Sequence, residues 1–301
     1  MQILHRICRR TALVLAAAFL PPTPVLAHTG SGIVVDRHGQ VYFLDTGSGL
    51  WKIDAQGRLT HLSRTRFHWL AIDPDNRFAS TRLPSGSTGD ILKVGNNPTL
   101  LISSDYPIAT GRDGNLYYPS GRPGSLQIMR MTPAGETAVL ATLPATSRGP
   151  LAHINGITAG PDGSLYYTED DVIRRITAQG EVSIVATVPA LVGGPSILGT
   201  DQHPYLRGLA VDAAGVMYVA DNGDARVLKI TPEGKIMTLL QLQSPWSPTA
   251  AALSGSDLYV LEFLHTASDE RRDWLPRIRR ITPDGKTTII ATVDQMPGAR
   301  D

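Results

Sequence analysis

The stretch that decides the fold runs Gly208-Leu-Ala-Val-Asp212, Ala213-Ala-Gly215, Val216-Met-Tyr-Val-Ala-Asp221, Arg226-Val-Leu-Lys-Ile-Thr231, Pro232-Glu-Gly234, Lys235-Ile-Met-Thr-Leu-Leu240. It reads as four short apolar strands parted by glycine-bearing turns. The same order recurs from Gly156 to Val188 (GITAGPDGSLYYTEDDVIRRITAQGEVSIVATV) and from Gly32 to Leu62 (GIVVDRHGQVYFLDTGSGLWKIDAQGRLTHL). Weaker copies span Leu70 to Ile102, Ile108 to Leu143 and Ala250 to Val293. Gly57, Gly135, Gly180, Gly234 and Gly285 mark the last turn of a unit, and Gly95-Asn96-Asn97 takes that place in the second copy. Six units over residues 28–301 average roughly 46 residues each, the length of a four-stranded propeller blade.

A lone four-stranded sheet of this kind leaves its apolar faces in water, whereas radial stacking buries each face against a neighbour. The expected fold is therefore all-β: a six-bladed β-propeller of four-stranded antiparallel blades, forming a single domain over residues 28–301. Its first unit opens on an inner-strand sequence, Gly32 to Asp36, and its last ends on an outer-strand sequence, Thr288 to Val293. With no spare strand at either end, closure rests on packing between the first and last blades.

The 301 residues are 42% hydrophobic and 18% charged with a formal net charge of +1, an ordinary globular balance. The densest basic run, Arg271-Arg272 with Arg277, Arg279 and Arg280, is interleaved with Asp269, Glu270 and Asp273. No concentrated basic face results, which argues against a nucleic-acid partner. At the N-terminus, Arg6, Arg9 and Arg10 precede the apolar Thr11 to Leu20 and the small-residue exit Val25-Leu26-Ala27. Residues 1–27 thus read as a signal peptide cleaved near Ala27, and the protein as periplasmic or secreted. Cleavage removes Cys8, the single cysteine, and leaves 25 basic against 27 acidic side chains. Thiolate chemistry is then excluded. No later apolar segment is long enough to span a membrane.

In a propeller the start of each inner strand and the end of each second strand meet at one mouth of the central channel. The long connections, Pro144 to Asn155, Ala190 to Arg207 and Phe263 to Arg277, fall on that face. Aligning the units places Ser31, His68 with its neighbour Trp69, Tyr106, Asn155, Arg207 and Thr249 around the mouth. Convergent polar groups in a concave site are the signature of small-molecule binding. His68, Tyr106 and Arg207 are the candidate catalytic residues, with Asn155, Trp69, Thr249 and Ser31 as substrate-binding residues. The second strands end in Asp45, Glu169, Asp221 and Glu262. Asp221 fits a turn held against Arg226, and Asp45 a similar one, while the longer Glu169 and Glu262 could reach the mouth or stay solvated. His68, His153 and His265, with Glu169 and Glu262, are candidate ligands for one divalent ion, zinc or calcium/magnesium, since imidazole and carboxylate are its usual donors.

Tyr218-Val-Ala-Asp221-Asn222-Gly223 leading to Arg226-Val-Leu-Lys resembles the NHL repeat. The unit starting His153-Ile-Asn155-Gly156 with Pro161-Asp-Gly163 is similar to blades of the gluconolactonase/senescence-marker-protein superfamily and of streptogramin lyases, as is Tyr-Tyr-Thr-Glu169 to the latter. The resemblance to gluconolactonases implies a divalent cation held by a Glu on the first inner strand, Asn residues and an Asp. Here Asn155 matches, but Ser31 stands in the Glu-like place and Arg207 in the Asp-like place. A weaker resemblance to amidating lyase propellers matches His68 to a zinc histidine and Tyr106 and Arg207 to a base and an arginine. The resulting expectation is a propeller binding a small molecule at its mouth, with metal-assisted lyase or lactonase-like hydrolase activity. The alternative is a non-catalytic ligand-binding or protein-interaction propeller.

Overall fold

A computed structural model describes residues 31–64, 67–78, 82–83, 91–94, 98–104, 106–122, 125–143, 154–191, 204–264 and 275–294. The signal-peptide segment and His153, His203 and His265 lie outside these residues, as does most of each long connection. Among the described residues the strands form six antiparallel four-stranded sheets. The first holds β1 (Ile33–Val35), β2 (Val41–Asp45), β3 (Gly49–Ile53) and β4 (Leu59–Ser63). The second holds β5 (Trp69–Asp73), β6 (Arg82–Leu83), β7 (Ile91–Val94) and β8 (Thr99–Ser103), and the third β9 (Ala109–Thr110), β10 (Leu116–Arg122), β11 (Ser125–Met131) and β12 (Thr137–Leu143). The fourth is β13 (Ile154–Ala159), β14 (Leu165–Glu169), β15 (Val172–Ile176) and β16 (Val182–Thr187), and the fifth β17 (Leu206–Val211), β18 (Met217–Asp221), β19 (Arg226–Ile230) and β20 (Ile236–Gln241). The sixth is β21 (Trp246–Ser254), β22 (Asp257–Leu264), β23 (Pro276–Ile281) and β24 (Thr287–Thr292).

The turns follow from the sequence. Gly57, Gly135, Gly180, Gly234 and Gly285 all sit at positive φ between 79° and 88°. The amide of each donates to the carbonyl of the residue three before it, closing the turn between third and fourth strands. In the same five sheets the pairing of these two strands slips once, at Leu50/Trp51, Ile128/Met129, Ile173/Arg174, Val227/Leu228 and Ile278/Arg279. The repeat thus extends to its β-bulges, which sharpen the twist at each sheet's outer edge.

Five sheets are simple meanders, and the second is not: its order is β5-β8-β7-β6. Burial explains the exception. Second-position strands such as β2 are buried along their whole length, whereas last strands such as β4 and β20 are mostly half-exposed or exposed. In the second unit the polar Ala79-Ser-Thr-Arg-Leu83 is unsuited to the inner seat, and Thr99-Leu-Leu-Ile-Ser103 suits it. The latter pairs with β5 and is buried throughout. Sequence order alone implies a meander here, and the structure corrects it.

Each apolar cluster draws on two neighbouring sheets. Tyr42, Leu44 and Leu50 meet Leu70, Leu100 and Ile102 between the first and second sheets, and Ala71, Phe78 and Leu101 meet Tyr106, Leu116 and Tyr118 between the second and third. The series continues through the third, fourth, fifth and sixth. Ile33, Phe43 and Trp51 finally pack with Ala250, Leu261, Phe263 and Val293, so the last sheet returns to the first. The fold is an all-β propeller of four-stranded antiparallel blades, closed by packing rather than by a shared strand among the described residues.

Close approach of inner strands requires the glycines behind Asn155 and Arg207. A Cβ on Gly156 would lie 2.8 Å from the Arg207 carbonyl oxygen, and one on Gly208 would lie 2.8 Å from the Ala250 Cβ. Gly156→Ala should therefore lower unfolding free energy by about 1–3 kcal/mol through overpacking. Urea denaturation measures this, and an unchanged midpoint would mean that β13 and β17 do not touch.

Candidate functional site

Three of the six mouth residues sit on irregularities of their inner strands. The β13/β14 register slips across Ile154/Gly156, at Asn155; the β17/β18 register slips between Leu206 and Leu209, at Arg207-Gly208; the β21/β22 register slips between Pro248 and Ala250, at Thr249. A bulge re-aims the side chain at its apex. Three consecutive blades therefore depart from regular pairing at the same end of the channel.

Arg207 reaches furthest. Its Nε donates a 3.0 Å hydrogen bond to Ser31 Oγ, joining residues 176 apart in sequence and passing the inner strand of the sixth sheet. Arg207 is only 7% exposed, and burial pulls its guanidinium below its ordinary pKa, with the Tyr205 hydroxyl opposing. Tyr205 lies under it, ring centroid 6.0 Å from the guanidinium carbon, and its hydroxyl donates to Asn155 Oδ1 at 3.1 Å. Asn155 is 8% exposed, and its buried Nδ2 has no hydrogen-bond partner among the described residues. Tyr205 thus links two mouth residues, yet nothing in the alignment of units singles it out; its place two residues before Arg207 is the one available signal.

On the other side of Ser31, its amide donates to the His68 carbonyl. His68 Nδ1 lies 2.7 Å from the Ser104 carbonyl oxygen. A carbonyl can only accept, so Nδ1 carries a proton and donates. Tyr106 is buried and stacked on Tyr118 at 5.8 Å between centroids. Trp69 is half-buried against that cluster, and Thr249 is fully buried with its hydroxyl 3.5 Å from the Leu261 carbonyl. Ser31, Arg207, Tyr205 and Asn155 thus form one connected group, with His68 attached through its backbone. Tyr106 also stacks on Tyr118, and Thr249 approaches the Leu261 carbonyl. Below the mouth lies a channel of about 270 Å³, lined by all six inner strands, whose exposed lining is more polar than apolar.

The acids at the second-strand ends follow one rule. Glu169 Oε2 accepts from Arg174 at 2.7 Å, Asp221 Oδ2 from Arg226 at 2.8 Å, and the fully buried Glu262 from both Arg277 (2.6 Å) and Arg279. Asp45 caps its own turn through Gly47, Ser48 and the Ser48 hydroxyl. The extra methylene of Glu169 and Glu262 carries each to an arginine on the third strand of its own sheet. Burial pushes the Asp221 carboxyl upward in pKa despite the opposing Arg226. Among the described residues no three His, Cys, Asp or Glu side chains converge as metal ligands. His61 bonds the Ser48 carbonyl beside Trp51, and His38 is an exposed turn residue.

Where a gluconolactonase-like cation would need carboxylates, Ser31 and Arg207 are bonded to each other. A guanidinium at that distance repels a cation, and these residues do not fit one.

The family model of the SMP-30/Gluconolactonase/LRE-like region matches residues 127–263. A 6-deoxy-6-sulfogluconolactonase of Pseudomonas putida is 26% identical over 165 residues, covering 54% of this chain and 53% of that protein. The match therefore spans about half the length of the curated relative. Virginiamycin B lyase from Staphylococcus aureus superposes with a TM-score of 0.51 at 18% identity, over 88% of this chain and 85% of the other. A calcium-binding protein, regucalcin, from Agrobacterium tumefaciens gives 0.51 at 17% identity, over 79% and 82%. These similarities support the gluconolactonase-like and streptogramin-lyase-like resemblance of the repeats, and the structural ones establish the propeller. They also show that a protein of this architecture binds calcium.

Glu262 offers a direct check on the role of the acids. Glu262→Gln leaves two arginines facing a neutral amide and should cost roughly 3 kcal/mol in chemical denaturation. It should leave any response to calcium as in the parent protein. Unaltered stability with loss of a calcium-induced shift would instead make Glu262 a metal ligand.

Proposed function

We propose that the chain is an exported six-bladed propeller that binds a small molecule at the Arg207 mouth and hydrolyses a lactone there. The observation carrying this reading is the buried donor group of Arg207, Ser31 and Asn155 beside a histidine whose Nδ1 donates. The six sheets and the return of the last onto the first support the blade count. The relative named for a sulfonated sugar lactone supports the substrate class, an anionic or polyhydroxylated lactone.

The chemistry follows from those residues. Water adds to the lactone carbonyl carbon as His68 Nε2 takes its proton. The charge developing on the carbonyl oxygen is met by Arg207 and the Asn155 amide, donors already in place. Collapse of the tetrahedral species breaks the ring C–O bond, and the leaving alkoxide recovers the proton from His68. The product is a hydroxy acid. Because the described residues of the mouth do not suit a divalent cation, no step here depends on one. Glu169 and Glu262 belong to the blades rather than to this reaction.

Proton release from D-glucono-1,5-lactone in weak buffer should exceed the spontaneous rate. His68→Gln should reduce the enzymatic rate about 100-fold or more while the melting temperature stays near the parent value. An unchanged rate in that variant would remove His68 from the reaction. Binding of the lactone without turnover would favour the non-catalytic reading.

A further inference from the structure

The rim of the sixth sheet holds a charge cluster that the proposed reaction does not use. Glu262, near the end of β22, is fully buried and accepts from Arg277 and Arg279 of β23, so two guanidiniums share one carboxylate. Arg279 engages it twice, with Nε at Oε1 and a terminal nitrogen at Oε2. Arg277 engages it through Nε alone. The Arg277 guanidinium carbon lies 3.6 Å from the centroid of the Trp246 ring, and no acceptor among the described residues meets its terminal nitrogens. Its side chain keeps 17% of its surface exposed, so those nitrogens are within reach of a ligand.

Position ties the pair to the mouth. Arg277 stands opposite Glu262 of the second strand, which stands opposite Pro248 of the inner strand. The guanidinium nevertheless stacks on Trp246, so it leans across β22 toward the channel. Trp246 opens β21 three residues before Thr249, about 10 Å beyond that mouth position along the strand. The ring packs against the apolar cluster between the fifth and sixth sheets. Its strand is held by the Asn222 amide, which donates to Ser247 Oγ and the Pro248 carbonyl. A guanidinium stacked in this way is already oriented, and its terminal nitrogens match two oxygens of an anion.

We propose that Arg277, stacked on Trp246, is a subsite for an oxyanion substituent (phosphate, sulfonate or carboxylate) carried by the molecule in the mouth, at the end away from the reacting carbonyl. This rests on the reading that the mouth is the ligand site, and it deepens that reading by naming the residue that selects a charged substrate over its neutral parent.

The test is calorimetric titration of the EDTA-dialysed full chain with 6-phospho-D-gluconate, D-gluconate and inorganic phosphate. Phosphogluconate should bind about tenfold or more tightly than either of the others, the worth of charge-assisted hydrogen bonds. Arg277→Gln should bring the two sugar acids within about threefold of each other and leave gluconate binding unchanged, whereas Arg277→Lys, which keeps the charge without the fork, should retain part of the preference. Glu262 keeps Arg279 in both variants. If Arg277→Gln still fails to fold, Trp246→Leu carries the test, because it removes the stacking surface and should narrow the preference about threefold. Equal binding of gluconate and phosphogluconate to the parent protein would overturn the subsite and leave a small-molecule mouth standing. A preference that survives Arg277→Gln intact, or phosphate binding as tight as phosphogluconate, would likewise overturn it. If neither sugar acid binds, the inference and the reading beneath it both fail.

Discussion

Everything in this molecule depends on the two-sided burial of four-stranded sheets. A sheet with apolar side chains on both faces needs a neighbour on each side, and a closed ring satisfies every sheet at once. The apolar clusters record this, each shared by two sheets, with the last returning to the first. The same demand overrides chain order in the second sheet, where Thr99–Ser103 takes the inner seat that the polar segment before it cannot fill. Burial sets the position and connectivity adapts to it.

Ring closure is also what creates a site. Ser31 and Arg207 meet only because the inner strands crowd together, and glycines at 156 and 208 permit that crowding. Bulges at Asn155, Arg207 and Thr249 then turn side chains that regular pairing would have placed differently. The chemical character of the mouth is set by what the blades consume. The carboxylates of Glu169, Asp221 and Glu262 pair with arginines of their own sheets, while Ser31, Arg207, Tyr205 and Asn155 meet at the centre. Lactonase-like similarity and departure from a lactonase-like cation site thus coexist on one scaffold, as expected where blades are shared and sites differ.

Much of this was legible in the sequence. Turn glycines at fixed offsets gave the unit boundaries because positive φ is a local requirement that leaves a mark in composition. Aligning the units places Ser31, Asn155 and Arg207 at corresponding positions, and the structure links Arg207 to Ser31 and Tyr205 to Asn155. The strand exchange in the second sheet was hidden, since periodicity reports which residues are buried and not which strand lies beside which. Glu169 and Glu262 read as free to face the mouth because their arginine partners are set by cross-strand register. Tyr205 was missed for a related reason: it belongs to a connection, where no repeat constrains the residue. His153 and His265 lie outside the described residues, and their candidacy as ligands stands as the sequence left it.

The central claim is that side chains from distant units meet at one mouth, and the Ser31–Arg207 contact is its most direct expression. A double-mutant cycle in chemical denaturation, with Ser31→Ala, Arg207→Met and the pair, reads that contact alone. A hydrogen bond to a buried guanidinium predicts a coupling of about 1–2 kcal/mol. Effects that add to within about 0.3 kcal/mol would show that the two residues do not touch, and the mouth as described would not exist.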